Sequence, residues 1–185
     1  PDSDDAFMFY AIATKKIRSN LVEFRHILSD IQTLNQKARE GEYDLTAVSY
    51  AAYPYIADKY RLMAAGSSIG DGYGPMVVTS RPSSLEDLKG KRIAIPGRMT
   101  SSYLALKLLH PDFIPVDTHF DKILDVVKEG SVDAGLIIHE AQLTYAKSGF
   151  HNVVDLGRWF KETYQLPDRK STRLNSSHTD ISRMP

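Results

Sequence analysis

Short apolar segments alternate with segments of helical periodicity along most of the chain. Runs of apolar residues predict buried strands at residues 45–49, 76–79, 91–95, 113–120, 132–138 and 152–156. Apolar positions spaced three and four apart, often closed by a glycine, predict helices at residues 30–40, 103–109, 121–129, 139–147 and 158–164. Strands that alternate with helices in this way are typical of an α/β fold with mainly parallel sheets.

The first part of the chain adds two less regular predictions. Residues 6–17 are rich in aromatic and apolar side chains and predict a helix, and the alternation at residues 21–27 predicts a half-buried strand. A turn-rich stretch at Arg81, Pro82 and Ser83 predicts a boundary near residue 80. We therefore expect two lobes, at residues 1–80 and 81–167.

The most informative segment is Gly135-Leu-Ile-Ile-His-Glu140. Its apolar residues end a predicted strand, and a helical pattern begins at His139. In open α/β sheets, ligands bind outside the carboxyl ends of the strands, which is where this histidine is expected. A structural role, in which His139 caps the helix or packs under a loop, is an equally open interpretation.

Hydroxyl side chains mark two further strand-to-helix corners. Thr100, Ser101 and Ser102 follow Pro96 and Gly97 at the start of a predicted helix, where free backbone N–H groups favour a carboxylate or phosphate. Ordinary helix capping needs only one such hydroxyl, so three favour ligand binding. Ser49 stands at the second corner, after the strand at residues 45–49.

Composition excludes several classes of partner and site. The chain has 185 residues with a formal net charge of zero, 42% hydrophobic and 25% charged residues. A neutral chain of this kind gives no support to nucleic acid or an anionic membrane as a partner. The absence of cysteine excludes disulfides and thiolate metal ligands. No apolar run approaches the length that spans a membrane.

The last part of the chain differs in character. Residues 168–185, which include His178, have no apolar periodicity and resemble a translated sequencing adapter. We expect this tail to be disordered, to lie outside the fold, and to contribute nothing to stability.

Several motifs together resemble one enzyme family. They are Pro1-Asp-Ser-Asp-Asp-Ala-Phe-Met-Phe-Tyr10, Asp30-Ile-Gln-Thr-Leu-Asn35, Gly70-Asp-Gly-Tyr-Gly-Pro75, Pro96-Gly-Arg-Met-Thr100, Gly135-Leu-Ile-Ile-His-Glu140 and Val154-Asp-Leu-Gly157. In this order they resemble the 1,4-dihydroxy-6-naphthoate synthase family of the futalosine route to menaquinone. The resemblance covers residues 1–167 and implies a two-lobed fold similar to type II periplasmic binding proteins, with the substrate between the lobes.

The resemblance also implies a chemistry. It implies a cytoplasmic carbon–carbon lyase that splits cyclic dehypoxanthine futalosine, a small molecule, without a metal or an organic cofactor. It gives His139 the role of general base. The implied substrate-binding residues are Ala47, Val48, Ser49, Thr100, Ser101, Ser102 and Tyr103. The family's usual Thr-Thr-Ala-Tyr is here Thr-Ser-Ser-Tyr, so Ser101 keeps a hydroxyl and Ser102 adds one.

Two alternatives share the expected fold. One is chorismate dehydratase, the sibling of the same pathway, against which the segment at residues 135–140 argues. The other is a solute-binding protein without catalysis, which a signal peptide or lipobox upstream would indicate. The family pattern has a strand before residue 1 and helices after residue 167, so we expect this chain to be a fragment that is incomplete at both ends.

Overall fold

A computed structural model describes residues 3–166 and 168–176, in which strands and helices alternate from β4 onward. The strands are β1 (Leu45–Ser49), β2 (Tyr60–Gly70), β3 (Met76–Thr79), β4 (Arg92–Ile95), β5 (Ile114–Asp117), β6 (Ala134–Ile137), β7 (His151–Asp155) and β8 (Asp168–Ser176). The α-helices are α1 (Ser3–Ala13), α2 (Ile31–Glu40), α3 (Ser101–Leu109), α4 (Ile123–Lys128), α5 (Ala141–Thr144) and α6 (Leu156–Tyr164). Short 3₁₀ helices cover Tyr50–Tyr55, Glu86–Leu88 and Phe120–Lys122.

The larger sheet has five strands in the order β5-β4-β6-β3-β7. Strand β4 pairs in parallel with β5 and β6, whereas β3 pairs antiparallel with β6 and β7. The carboxyl ends of β4, β5 and β6 therefore meet along one side of the sheet, which we call the carboxyl edge. The α/β class is confirmed, but the sheets are less parallel than the alternating pattern predicted.

The smaller sheet has three antiparallel strands in the order β1-β8-β2. The chain passes from this sheet to the larger one between Gly70 and Met76, because β3 already pairs with β6. This change lies before the boundary expected near residue 80. The fully buried side chains of Val77 and Val78 explain why β3 belongs to the larger sheet.

Strand β8 corrects the expectation of a disordered tail for residues 168–176. Its backbone pairs on both sides, with β1 from Leu45 to Ser49 and with β2 from Tyr60 to Gly70. Unpaired strand edges carry N–H and C=O groups that accept another strand whatever its side-chain periodicity, so the composition of the tail does not decide the pairing. Residues 177–185 lie outside the described residues.

The strand predicted at residues 21–27 is wrong. Residues 14–30 contain no helix or strand, and the side chains of Leu21 and Phe24 are 66% and 47% exposed. Alternation alone cannot produce a strand where no neighbouring strand pairs with the segment. The helix predicted at residues 6–17 is α1, which begins earlier and ends at Ala13.

Helix α2 begins and ends where its local capping residues predict. The Asp30 carboxylate accepts the backbone N–H of Thr33 at 3.0 Å, and Gly41 ends the helix with a left-handed φ of 73°. Asp30 is therefore the residue that caps this helix.

Both faces of the larger sheet are covered by apolar side chains. On one face Ile93, Ile95 and Leu136 pack with Leu106 and Leu156 from α3 and α6. The other face carries Val78, Ala94 and Ile137 together with Ile123 and Val127 of α4. A separate cluster holds the smaller sheet: Ala38, Val48, Ala52, Ile56 and Tyr60.

Helix α4 lies unusually close to β6, because residue 135 is a glycine. A Cβ atom there would be 2.5 Å from Cγ2 of Ile123 and 2.9 Å from Cγ2 of Val127, closer than side chains pack. This contact places the strand that leads to His139. Among the described residues, no helix is long and apolar enough to cross a membrane.

Candidate functional site

Three loops that follow β4, β5 and β6 bring the candidate residues to the carboxyl edge. Thr100 lies in the first loop, His119 in the second and His139 in the third. Thr100 and His139 share this edge because β4 pairs in parallel with β6.

Thr100 and Ser102 use their hydroxyl groups inside the protein. Thr100 Oγ1 donates to the carbonyl of Gly97 at 2.7 Å and accepts the backbone N–H of Tyr103 at 3.2 Å. Ser102 Oγ lies 3.0 Å from Thr100 Oγ1, and both residues are buried. Thr100 therefore caps α3, the structural role that the sequence left open, and the Ser102 hydroxyl bonds to this cap.

Ser101 points toward the smaller sheet. Its Oγ accepts the backbone N–H of Ala51, in the 3₁₀ helix at Tyr50–Tyr55, at 3.4 Å. Of the three hydroxyls expected to bind a ligand, Ser101 thus contacts the segment that follows Ser49, whereas Thr100 and Ser102 bond within their own loop.

Asn35 joins the two candidate binding segments, and sequence reasoning gave it no role. Its amide Nδ2 donates to Ser49 Oγ at 3.1 Å and to the Met99 carbonyl at 3.3 Å. Its Oδ1 accepts the Ser49 N–H at 2.8 Å, and the side chain is 0% exposed. One feature of the sequence could have indicated a role for Asn35. It lies four residues after Ile31 and three before Ala38, which places a polar amide on the apolar side of the helix.

Gln32 makes a second link from α2 to the loop after β4. Its Oε1 accepts the backbone N–H of Met99 at 3.3 Å. Gly97 has a φ of 149°, and a Cβ atom there would overlap the Gln32 side chain. A glycine is therefore required at this point for the loop and the helix to approach each other.

The other residues implied as substrate-binding lie nearby with different exposure. Ala47 is half-buried and Val48 is fully buried in the core of the smaller sheet, so the Val48 side chain serves packing. Ser49 is 2% exposed. Tyr103 is half-buried, and its ring makes an edge contact with Phe113 at a centroid distance of 6.2 Å.

His139 has an unusual backbone conformation. Its φ is 56°, in the left-handed region that a side chain normally disfavours. Helix α5 begins only at Ala141 and has four residues, so the predicted helix at residues 139–147 is shorter and starts later. The half-buried His139 accordingly lies in the loop between β6 and α5, and Glu140 beside it is exposed.

An aromatic and acidic cluster surrounds this loop. The ring of Phe120 contacts His139 at a centroid distance of 5.1 Å and His119 at 4.8 Å. His119 Nδ1 lies 2.6 Å from Asp121 Oδ1, and this hydrogen bond lowers the pKa of the Asp121 carboxyl. The cluster thus combines two imidazoles, one aromatic ring and one carboxylate at the carboxyl edge.

Asp30 brings a second carboxylate toward the same edge from α2. Partial burial raises its pKa, but the hydrogen bonds from Thr33 and the nearby His119 outweigh burial, and the net pKa lies below the ordinary value. Asp30 and His119 are thus near enough to interact electrostatically.

Arg98 supplies a cation in the loop after β4. Its Nε donates to Asp117 Oδ2 at 2.9 Å and its Nη2 to the Pro115 carbonyl at 3.3 Å. The hydrogen bond with Asp117 is the main cause that raises the Arg98 pKa further above its ordinary value. The guanidinium is thus fixed against β5.

A groove of about 700 Å³ opens between the 3₁₀ helix at Tyr50–Tyr55 and helix α3. Its lining includes Ser101 and Tyr103 of the predicted site, together with Arg98. His139 is not among the described residues that line it. The structure therefore brings the Ser49 and Thr100 segments together through Asn35 and Ser101, and places His139 on another part of the carboxyl edge. Among the residues described, no group of three or more His, Asp or Glu side chains could hold a metal ion.

Comparison with a family model for menaquinone biosynthesis gives a match over residues 1–167. The chain belongs to the menaquinone biosynthesis family. This family member is 44% identical over 167 residues to the 1,4-dihydroxy-6-naphthoate synthase of Thermus thermophilus, and 35% identical over 173 residues to that of Streptomyces coelicolor. Each match covers 90% of this chain and 60% of the curated relative.

Solved structures confirm the fold expected for the family member. A crystal structure of a protein from Archaeoglobus fulgidus superposes with a TM-score of 0.92 at 47% identity, covering 98% of this chain and 67% of that one. The alkanesulfonate-binding protein of Xanthomonas axonopodis gives a TM-score of 0.60 at 16% identity, with coverage of 80% and 53%. The fold is thus that of periplasmic solute-binding proteins.

Proposed function

We propose that this chain carries the substrate-binding and base-bearing part of a 1,4-dihydroxy-6-naphthoate synthase. The names of its relatives and the family resemblance support a small-molecule substrate, cyclic dehypoxanthine futalosine, which a cytoplasmic carbon–carbon lyase splits to the naphthoate. His139 is the general base. Ser49 and the loop from Thr100 to Tyr103 bind the substrate, Ser49 and Ser101 through their hydroxyl groups.

The backbone of His139 is the observation that carries this proposal. A left-handed φ costs a non-glycine residue on the order of 1–3 kcal/mol, and such strain clusters at functional sites. Here it occurs at a histidine between β6 and α5, at the edge where ligands of this fold class bind.

An imidazole suits the proposed step, since it accepts a proton near neutral pH without a charged partner. His139 takes a proton from the sugar-derived portion of the substrate, and the electrons left behind start the bond cleavage that leads to the aromatic ring. Phe120 gives the base an apolar neighbour, while Arg98 lies at the loop that carries Thr100.

Replacement of His139 by Asn tests the proposal. The test protein is a chimera in which residues 1–167 replace the matched part of the Thermus thermophilus relative, so that the chain has the length of a curated enzyme. Asn keeps a similar size and hydrogen bonding but removes the basicity. Because general acid–base groups contribute about 10²–10⁴-fold, single-turnover product formation should fall by that order while the substrate still binds.

His151→Asn is the matched control, because His151 is an exposed histidine at the start of β7. It should leave turnover unchanged. Turnover of His139→Asn within a few-fold of the parent would make His139 a packing residue. Substrate binding without any turnover in the parent chimera would instead favour a solute-binding protein.

A further inference from the structure

Phe120 lies in contact with two imidazole rings at the carboxyl edge. Its ring centroid is 5.1 Å from that of His139 with an interplanar angle of 67°, an edge-to-face arrangement. The same ring contacts His119 at 4.8 Å and 35°. Since His119 Nδ1 lies 2.6 Å from Asp121 Oδ1, a continuous series of contacts leads from a carboxylate to His139.

The backbone around Phe120 is fixed on both sides. The N–H of Thr118 donates to the Ile95 carbonyl at 2.9 Å, which extends the β4–β5 pairing beyond the end of β5. The N–H of Lys122 donates to the His119 carbonyl at 2.9 Å and closes the turn that begins the 3₁₀ helix. The backbone on both sides of Phe120 is therefore held by hydrogen bonds, and the side chain is half-buried.

We propose that Phe120 is a positioning residue for His139. The proposal rests on the proposed role of His139 as the base. The left-handed conformation of His139 sets its backbone, and the orientation of its imidazole depends on the contacts of the side chain, of which the Phe120 ring is one. Aromatic rings prefer edge-to-face contacts at this separation, so Phe120 selects one orientation of the imidazole. His119, which is hydrogen-bonded to Asp121, contacts the Phe120 ring and supports it in turn.

Such a residue should act on the rate rather than on binding. Proton transfer needs the base within hydrogen-bond reach of the proton, and misplacement by about 1 Å can cost on the order of 10²-fold. Loss of the ring leaves the imidazole in place part of the time. In the chimera, Phe120→Leu should lower kcat about tenfold with KM within about twofold of the parent.

Two variants serve as references. Phe120→Tyr keeps the ring and should restore kcat to nearly the parent value. Phe24→Leu removes an exposed ring from residues 14–30, far from His139 in the sequence and outside the proposed site, and should leave both constants unchanged. A kcat for Phe120→Leu equal to that of Phe24→Leu would overturn the proposal.

A spectroscopic measurement on the 185-residue chain tests the contact without activity. The ring resonances of His139 are assigned in an NMR spectrum by their loss in His139→Asn. Phe120→Leu should move these resonances by removing the ring current, whereas Phe120→Tyr and Phe24→Leu should not. Unmoved resonances in Phe120→Leu would overturn the proposal. If they move but His139→Asn keeps its turnover, the base assignment fails together with this positioning role, although the contact is real.

Discussion

At the scale of single residues, Asn35 contributes most to the shape of the candidate site. One buried amide satisfies the hydroxyl and N–H of Ser49 and the carbonyl of Met99. Since Ser49 and Met99 belong to segments far apart in the sequence, this side chain fixes how the two binding segments face each other. The sequence predicted both segments but not the Asn35 hydrogen bonds that join them, because a single amide on an apolar helix face matches no known sequence motif.

Asn35→Ala should destabilise the protein markedly. It leaves the buried N–H of Ser49 and the carbonyl of Met99 without their partner, and each orphaned group costs about 1–3 kcal/mol. We expect the free energy of unfolding in urea to fall by at least about 2 kcal/mol with an unchanged m value. Ser49→Ala, which removes only one hydrogen bond to Asn35, should cost about 1 kcal/mol.

The exposed Asn152 of β7 provides the control for this comparison. Asn152→Ala should change the unfolding free energy by less than about 0.5 kcal/mol, as is usual at the surface. An equal effect of Asn35→Ala and Asn152→Ala would show that the hydrogen bonds of Asn35 contribute little to the free energy of unfolding.

At the scale of elements, local signals succeeded where an element carries its own boundary and failed where it depends on a partner. Helix α2 has a capping carboxylate and a closing glycine, and its limits agree with the pattern. The strand predicted at residues 21–27 needs a neighbour to pair with, which periodicity does not reveal. Strand β8 shows the converse, because two backbone edges pair a segment without any apolar pattern.

Strand β8 should stabilise the smaller sheet, contrary to the expectation from its sequence. Truncation after Leu166 removes the backbone partner of both β1 and β2, so the thermal midpoint should fall by several degrees, the shift that about 1 kcal/mol produces in a domain of this size. Truncation after Ser176 keeps β8 and should leave the midpoint unchanged. Equal midpoints for the parent and both truncated chains, measured by circular dichroism, would restore the original expectation that the tail contributes nothing.

At the scale of the whole molecule, alternation of strands and helices predicted the fold class, and the motifs predicted the family. The pattern could not show which strands run antiparallel, since pairing direction depends on how connections cross the sheet. The parallel pairing of β4 with β6 brings Thr100 and His139 to one edge. The sequence pattern did not separate His139 from the groove that Ser101 lines, because distances along an edge are set by packing. The chain spans 60% of the length of the curated relatives that it matches.

Stability should depend on pH through Asp30. Its pKa in the folded protein lies below the ordinary value of 3.8, so the carboxylate stabilises the fold above that value, and this contribution is lost as the pH falls through the lower folded pKa. Asp30→Asn keeps a capping side chain but removes the charge. It should therefore unfold more easily than the parent at pH 7, and the difference in unfolding free energy should shrink below about pH 4.

The exposed Asp58 is the control for this titration. Asp58→Asn should follow the parent across the pH range, measured by urea unfolding in buffers of equal ionic strength. A difference between Asp30→Asn and the parent that stays constant from pH 7 to about pH 2 would show that the charge of Asp30 plays no part.

The glycine beneath helix α4 has a consequence for how sequences of this fold can diverge. Because a Cβ atom at position 135 would overlap Ile123 and Val127, these three positions share one volume. A larger residue at 135 is compatible with the fold only when a smaller one replaces Ile123 or Val127, and neither change is favourable by itself. Substitutions at these three positions should therefore occur together during evolution. Sequences that keep this packing should also keep the position of β6 that leads to His139.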